Sequence, residues 1–372
     1  MPEFRISVAT VLLLLVLSGC AAPASPDPLG LPANPPRPAT CTPPTSTDLT
    51  TAPGWLNRIA SAPGTVGLVV DDGRGRVVSH EATTPFPLAS AVKVVHLAAY
   101  ARAVTDGRIR PDEPVARADW ERWYVPGTDG GVHPEALARL GNGPTDTADQ
   151  VVSAMIRESD NAAADWLRGR LGDEALREAA ASAGWADVDL PSFVGATARF
   201  ALPDRASAGA GRAQIATIDA QLGRQVADDP AFRVEVQRRY AAAAEQDPER
   251  FLADQQRWTD TTAAGTPVQL LRLHRAIATG TVPGADIVRR QLTYQGPTPG
   301  LGTIGFKAGS FVDVVTFGSF VRRDDGSLGY AVVLGRDLPL LPLTGTQARG
   351  QQTMALDALR SPAGFDRLLC VA

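Results

Sequence analysis

The chain has 372 residues, 44% of them hydrophobic and 20% charged, enough apolar material for one large core or two smaller lobes. A formal net charge of -4, with no cluster of Lys or Arg, leaves no basic field to hold a nucleic-acid backbone. The three cysteines, Cys20, Cys41 and Cys370, show no CxxC spacing, and the four histidines stand singly, so no metal or other cofactor is expected.

Arg5 precedes an apolar run from Val8 to Leu17, too short for a mature membrane span but the length of a signal-peptide core. The run ends in Leu17-Ser18-Gly19-Cys20, which resembles the bacterial lipobox. That resemblance implies a lipoprotein signal over residues 1–20 and diacylglycerol on Cys20, anchoring the protein at the outer face of the bacterial cell membrane. The alternative is an ordinary signal peptide with an incidental cysteine. Residues 21–48 are rich in Pro, Ala and Thr and read as an extended spacer. Once exported, Cys41 and Cys370 are the partners left for each other, and an oxidising compartment permits a bridge; the alternative is two free thiols.

Trp55 to Ala60 reads as part of a leading helix. Thr65 to Asp72 and Arg76 to Glu81 are β-rich runs joined by Asp72-Gly73-Arg74-Gly75, a hairpin signal. Gly302 to Ser310, Val314 to Arg323 and Gly329 to Arg336 repeat the pattern near the other end, and Thr346 to Leu359 closes as an amphipathic helix. Two early strands and three late ones imply a chain that leaves the sheet, builds something else and returns. The intervening region, about 87–292, is largely helical by composition and period. Within it, residues 206–258 read as a helical insertion, with Arg212 to Val226 and Ala231 to Glu245 suited to solvated helices.

The chain contains two lysines, Lys93 and Lys307, against 34 arginines. Arginine serves any solvated face but stays charged, whereas a desolvated lysine can become a base. Lys93 lies in Ser90-Ala91-Val92-Lys93 at the start of an apolar helical segment, Ala89 to Val104, where a spacing of three puts hydroxyl and amine on one face. Ser159-Asp160-Asn161 stands between two helical segments, Asp149 to Ile156 and Ala162 to Leu167. By itself it also fits a helix cap. Lys307-Ala308-Gly309-Ser310 falls on the third strand, where Gly309 would let a ligand lie against the backbone.

Ser-x-x-Lys, Ser-Asp-Asn and Lys-x-Gly, in that order on helix, loop and strand, resemble the class A β-lactamases and their penicillin-binding relatives. The resemblance implies an α/β (α+β) fold: a five-stranded antiparallel sheet flanked by helices, with a mostly helical second lobe, over residues 49–372. It implies Ser90 as nucleophile, Lys93 as acylation base and Ser159 as proton donor to the leaving nitrogen. Asn161 would hold Lys93 and the substrate amide, Lys307 would meet the substrate carboxylate, and the backbone N–H groups of Ser90 and Ser310 would form the oxyanion hole. An aromatic walls the cleft in that family. Tyr124 is the candidate here, the alternative being a ring packed under the glycine-rich loop that follows it.

Two positions depart from the family pattern. Ala308 removes a hydroxyl, which Ser310 can supply, and no glutamate occupies the stretch Asp187 to Phe193, where the family keeps its deacylating base. Asp187 or Asp189 could substitute, although each also suits a solvated loop. The expected partner is a small-molecule β-lactam or a peptidoglycan peptide, bound by a monomer. Three activities remain open: a β-lactamase-like hydrolase, a peptidoglycan D-Ala-D-Ala peptidase, and a non-catalytic lipoprotein that binds cell-wall peptides or a partner.

Overall fold

The computed structural model describes residues 31–206, 209–339 and 345–372; Cys20 and the lipobox lie outside them. The chain enters through α1 (Ala52–Ser61), capped by the Thr51 hydroxyl, which accepts from the Gly54 N–H. It then forms β1 (Val66–Asp71) and β2 (Val77–His80). Between them Asp72 Oδ1 accepts from the N–H groups of Arg74 and Arg76, and Gly73 sits at φ +66. A Cβ at Gly73 would lie 1.5 Å from the Leu328 carbonyl oxygen, so glycine is required there.

The chain next leaves the sheet through a 3-10 turn, Ala89–Val92, into α2 (Lys93–Thr105). This helix is buried on nearly every side, as a central helix must be when its sequence is apolar all round. Helices α3 (Ala148–Arg157) and α4 (Asn161–Leu171) follow, the first opened by a Thr147/Gln150 capping box and the second by the Asp160 carboxylate. Then come α5 (Phe193–Ala201) and the insertion, which holds α6 (Arg212–Asp228), α7 (Pro230–Gln246) and α8 (Pro248–Thr259). Asp229-Pro230 and Asp247-Pro248 each place an N-cap carboxylate before a first-turn proline, which starts α7 and α8. The chain returns by α9 (Pro267–Thr279), again with a capping box, Thr266/Gln269.

Four more strands complete the sheet: β3 (Pro297–Thr298), β4 (Gly302–Phe311), β5 (Val314–Arg322) and β6 (Leu328–Gly335). All pairings are antiparallel, in the order β2-β1-β6-β5-β4-β3. The sheet thus has six strands where the sequence pattern gives five. The extra one, β3, is two residues long and leaves no alternation to read.

α1, α10 (Gly345–Arg360) and α11 (Pro362–Leu369) cover one face over a core that includes Trp55, Ile59, Phe317, Val333, Met354 and Phe365. α9 covers the other. Gly318 on β5 leaves room for His274 and Leu270 of α9, which a Cβ would meet at 2.6 Å and 3.0 Å. Cys41 and Cys370 form a disulfide with Cα atoms 5.3 Å apart. Ordered contacts already begin inside the segment read as spacer. The Asn34 side chain exchanges two 2.8 Å hydrogen bonds with the Ser79 backbone on β2 and so extends the sheet edge.

Candidate active site

Ser90 and Lys93 do not share a continuous α-helix. Ser90 sits in the 3-10 turn and Lys93 is the first residue of α2. A 3-10 turn has three residues per turn, which eclipses positions i and i+3 and stacks the amine over the hydroxyl, 3.1 Å apart. Lys93 is fully buried while Ser90 remains half-exposed, as a base and the nucleophile it serves would need to be. Gly309 of β4 abuts this turn. A Cβ there would fall 2.3 Å from the Ser90 backbone nitrogen and 2.9 Å from that of Ala91. Glycine therefore lets the strand close against the start of the turn and brings the exposed Ser310 beside it. Thr316 fixes the approach, its hydroxyl lying 3.1 Å from the Leu88 carbonyl and 3.3 Å from that of Gly309.

The surroundings of Lys93 decide its protonation. Its Nζ donates to the Ser159 carbonyl oxygen at 2.5 Å and to Asn161 Oδ1 at 2.6 Å. Both are pure acceptors, so they take two N–H bonds. A neutral amine has just two, and its lone pair is then left for the Ser90 O–H. Burial pushes the Lys93 pKa down from 10.5 to about 7, against the pull of the Asp160, Asp165 and Asp129 carboxylates. Geometry and desolvation thus agree on an amine that can accept a proton at neutral pH.

Ser159 is held at φ +70, a left-handed conformation that costs a serine on the order of 1–3 kcal/mol. That conformation turns both its carbonyl and its hydroxyl toward the lysines. Ser159 Oγ lies 3.4 Å from Lys93 Nζ and accepts from Lys307 Nζ at 2.9 Å, bridging the two amines. The neighbouring Asp160 anchors the loop from behind, with one carboxylate oxygen capping α4 at Ala163 and the other 2.8 Å from His133 Nδ1. Lys307 also donates to the Ala308 carbonyl at 2.7 Å. Burial, and next the Lys93 charge, hold its pKa well below 10.5. An anion arriving beside Lys307 would offset that cost and favour the charged form.

These groups open onto a cavity of about 520 Å³, which Ser90, Ser159, Asn161, Lys307, Gly309 and Ser310 all line. The sequence-derived set therefore converges, with one exception. The Tyr124 ring packs on His133, centroids 4.2 Å apart, and the wall on that side is formed by Thr128, Asp129, Gly130 and Val132. Tyr124 is thus placed against His133 and is not among the residues that line the cavity.

Neither aspartate considered as a substitute base faces Ser90. Asp187 accepts from Gln269 Nε2 at 2.9 Å, and Asp189 is clamped by Arg212 at 2.6 and 3.0 Å while accepting the Ala264 N–H. Among the described residues, the carboxylates lining the cavity are Asp129 and Asp219. The first caps the Gly131 and His133 N–H groups, and the second is paired with Arg199 at 2.6 Å. What stands over Lys93 is the ring of Phe193, its centroid 4.4 Å from Nζ.

Phe193 and the residue that places it escaped the sequence reading. The buried Asp165 carboxylate accepts the N–H groups of Phe193 and Val194, 3.1 and 2.7 Å away, and so fastens the start of α5 over Lys93. Burial raises the Asp165 pKa to about 6 despite these bonds. The available signal was a lone acid in the apolar stretch Ala162-Ala163-Ala164-Asp165-Trp166-Leu167, which calls for a buried partner.

A mixed fold with an interrupted antiparallel sheet, and a Ser-Lys-Ser-Lys cluster where its layers meet, fit a β-lactamase-like serine hydrolase family. The chain matches the profile of the beta-lactamase enzyme family over residues 55–282 and belongs to that family. No curated protein matches it. Among solved structures it is similar to a β-lactamase from Sphaerobacter thermophilus, at 21% identity and a TM-score of 0.53, over 80% of this chain and 92% of that one. PBP-A is similar at 20% identity and a TM-score of 0.50, over 86% and 98%. A substituted PBP-A in acyl-enzyme complex with penicillin G gives 18% and 0.50, over 85% and 97%. At these identities the likeness speaks for the fold.

Proposed function

We propose that the protein opens β-lactams through an acyl-enzyme on Ser90 and releases the product slowly. Ser90 Oγ attacks the lactam carbonyl as its proton passes to the neutral Lys93 amine. The C–N bond then breaks, and Ser159 relays a proton to the departing nitrogen. Lys307 meets the substrate carboxylate, and the Ser90 and Ser310 N–H groups hold the oxyanion. The observation that carries this reading is Lys93 Nζ, which gives its hydrogens to Ser159 O and Asn161 Oδ1 and faces Ser90 Oγ with what remains.

The slow second half rests on Phe193. Deacylation needs a general base on water, worth about 10²- to 10⁴-fold, and an aromatic ring supplies none. The same observation favours a second reading, a peptidoglycan D-Ala-D-Ala peptidase, whose acyl-enzyme forms by identical chemistry. We place either activity at the outer face of the cell membrane, through diacylglycerol on Cys20. Labelling by a fluorescent penicillin tests the proposal: wild type should label and Ser90→Ala should not. Equal labelling of both, or of neither, would contradict it and leave a binding protein. Metabolic incorporation of a fatty-acid probe, lost in Cys20→Ala, tests the anchor.

A further inference from the structure

The Ser90 cavity does not end at the catalytic groups. Beyond Ser310 it continues between α5, the end of β4 and the insertion, where Phe200, Tyr240, Trp258 and Phe311 line it. These rings pack edge to face in a chain, Tyr240 to Phe200 at 5.7 Å, Phe200 to Trp258 at 5.9 Å and Trp258 to Phe311 at 5.2 Å. All four are half-buried rather than sealed in a core, so each keeps apolar surface facing the cavity.

The wall is rigid. Trp258 Nε1 donates to the Ala196 carbonyl at 3.2 Å and the Tyr240 hydroxyl accepts from Gln255 at 3.0 Å, which gives each ring's polar end a partner in the wall. α6 is locked to α5 by close approach at Gly195, where a Cβ would meet the Asp219 carbonyl oxygen at 1.8 Å, and by the buried Arg199–Asp219 pair. The charged groups at this end, Asp219 and Arg212, are neutralised by Arg199 and Asp189 respectively. Among the described residues, no free charge there invites an ionic ligand.

Strand β4 sets the direction. Lys307, Gly309 and Phe311 follow one another along it, with Gly309 against the Ser90 nitrogen. At ~3.3 Å per residue, Lys307 and Phe311 lie roughly 13 Å apart on either side of the nucleophile. A substrate with its carboxylate at Lys307 therefore points the other side of its scissile bond, the acyl side, at the aromatic wall.

We propose that the aromatic wall built by α5, the end of β4 and the insertion is a specificity pocket for a large, uncharged apolar group on the acyl side of the substrate. This rests on the acyl-enzyme reading above and names the substrate class it serves. Phe200, Tyr240 and Trp258 bind and orient that group, and none of them takes part in bond making.

The test uses a series of penicillins that share one nucleus and carry linear acyl groups from acetyl to octanoyl. The second-order acylation constant is read by intact mass. Each buried methylene should raise it roughly fourfold, equivalent to about 0.8 kcal/mol, until the pocket is filled. Phe200→Ser and Tyr240→Ser should each flatten that slope while the acetyl compound reacts as before, which also shows that the variant is folded. A flat wild-type series overturns the inference, as does a slope unchanged in both variants or a loss equal for every chain length. Failure of every compound, acetyl included, would instead strike the acyl-enzyme reading on which the inference stands.

Discussion

Raising the pH through neutrality should switch on acylation, because the account requires Lys93 to be neutral. An ordinary lysine, with a pKa of 10.5, is about 0.03% neutral at pH 7. With burial bringing Lys93 to about 7, half of it is neutral there, a gain of roughly 1,500-fold in the reactive form. The acylation constant for a fluorescent penicillin should climb tenfold per unit below pH 6 and level off above about pH 8. Stability should move with it, and its sign is set by the same proton. The folded pKa lies below the unfolded one, so between about pH 7 and 10.5 the unfolded chain holds a proton that the native chain has lost. Native stability therefore rises with pH across that window, by about 2 kcal/mol from pH 7 to 9 for this group alone. Lys93→Met removes the charge and most of that slope in urea titrations, which compare the two proteins directly. Acylation that kept rising tenfold per unit to pH 10 would refute the reasoning, because it would make Lys93 an ordinary amine.

Other outcomes follow from the same geometry. Phe193→Glu puts a carboxylate where the ring now sits, 4.4 Å from Lys93 Nζ, and should hasten acyl-enzyme breakdown by about 10²- to 10⁴-fold, whereas Phe193→Gln should not. Adduct lifetimes by mass spectrometry decide it, and equal lifetimes in the two variants would rule out the missing base as the cause of slow release. Ser159→Gly relieves the φ +70 strain and should leave stability within about 1 kcal/mol of wild type while acylation falls at least tenfold, read by denaturant melts and labelling on the same samples. Replacing Cys41 and Cys370 together by Ser should lower stability by about 2–4 kcal/mol in a urea titration and leave labelling at Ser90 intact.

The parts of the site that are local in sequence could be read from it. Ser90 with Lys93, Ser159 with Asn161, and Lys307 with Gly309 each fall within a few residues, and backbone geometry converts such spacing into proximity. The two-then-three division of strands was legible for a related reason, since alternation over six or more residues marks a buried face. What joins distant segments left little trace. Phe193 reaches Lys93 because Asp165, on a different helix, takes the backbone N–H groups at the start of α5. Thr316 holds the Ser90 turn against β4 through the Leu88 carbonyl, 228 positions away. Tyr124 was ambiguous because a ring beside a glycine-rich loop has two sides, and the choice between them depended on His133 folding beneath it. The insertion read as solvated helices, which suits its Arg-rich outer face. Its inner aromatics, scattered as Tyr240, Phe251 and Trp258, become one surface because each packs on Phe200 of α5.

The most direct measurement is a time course of intact mass after mixing the protein with penicillin G and removing the excess. The account predicts full conversion to a single adduct of one penicillin mass, located on Ser90 by peptide mapping and persisting for many minutes at pH 7. An adduct that never forms, or one that forms on another residue, would contradict it.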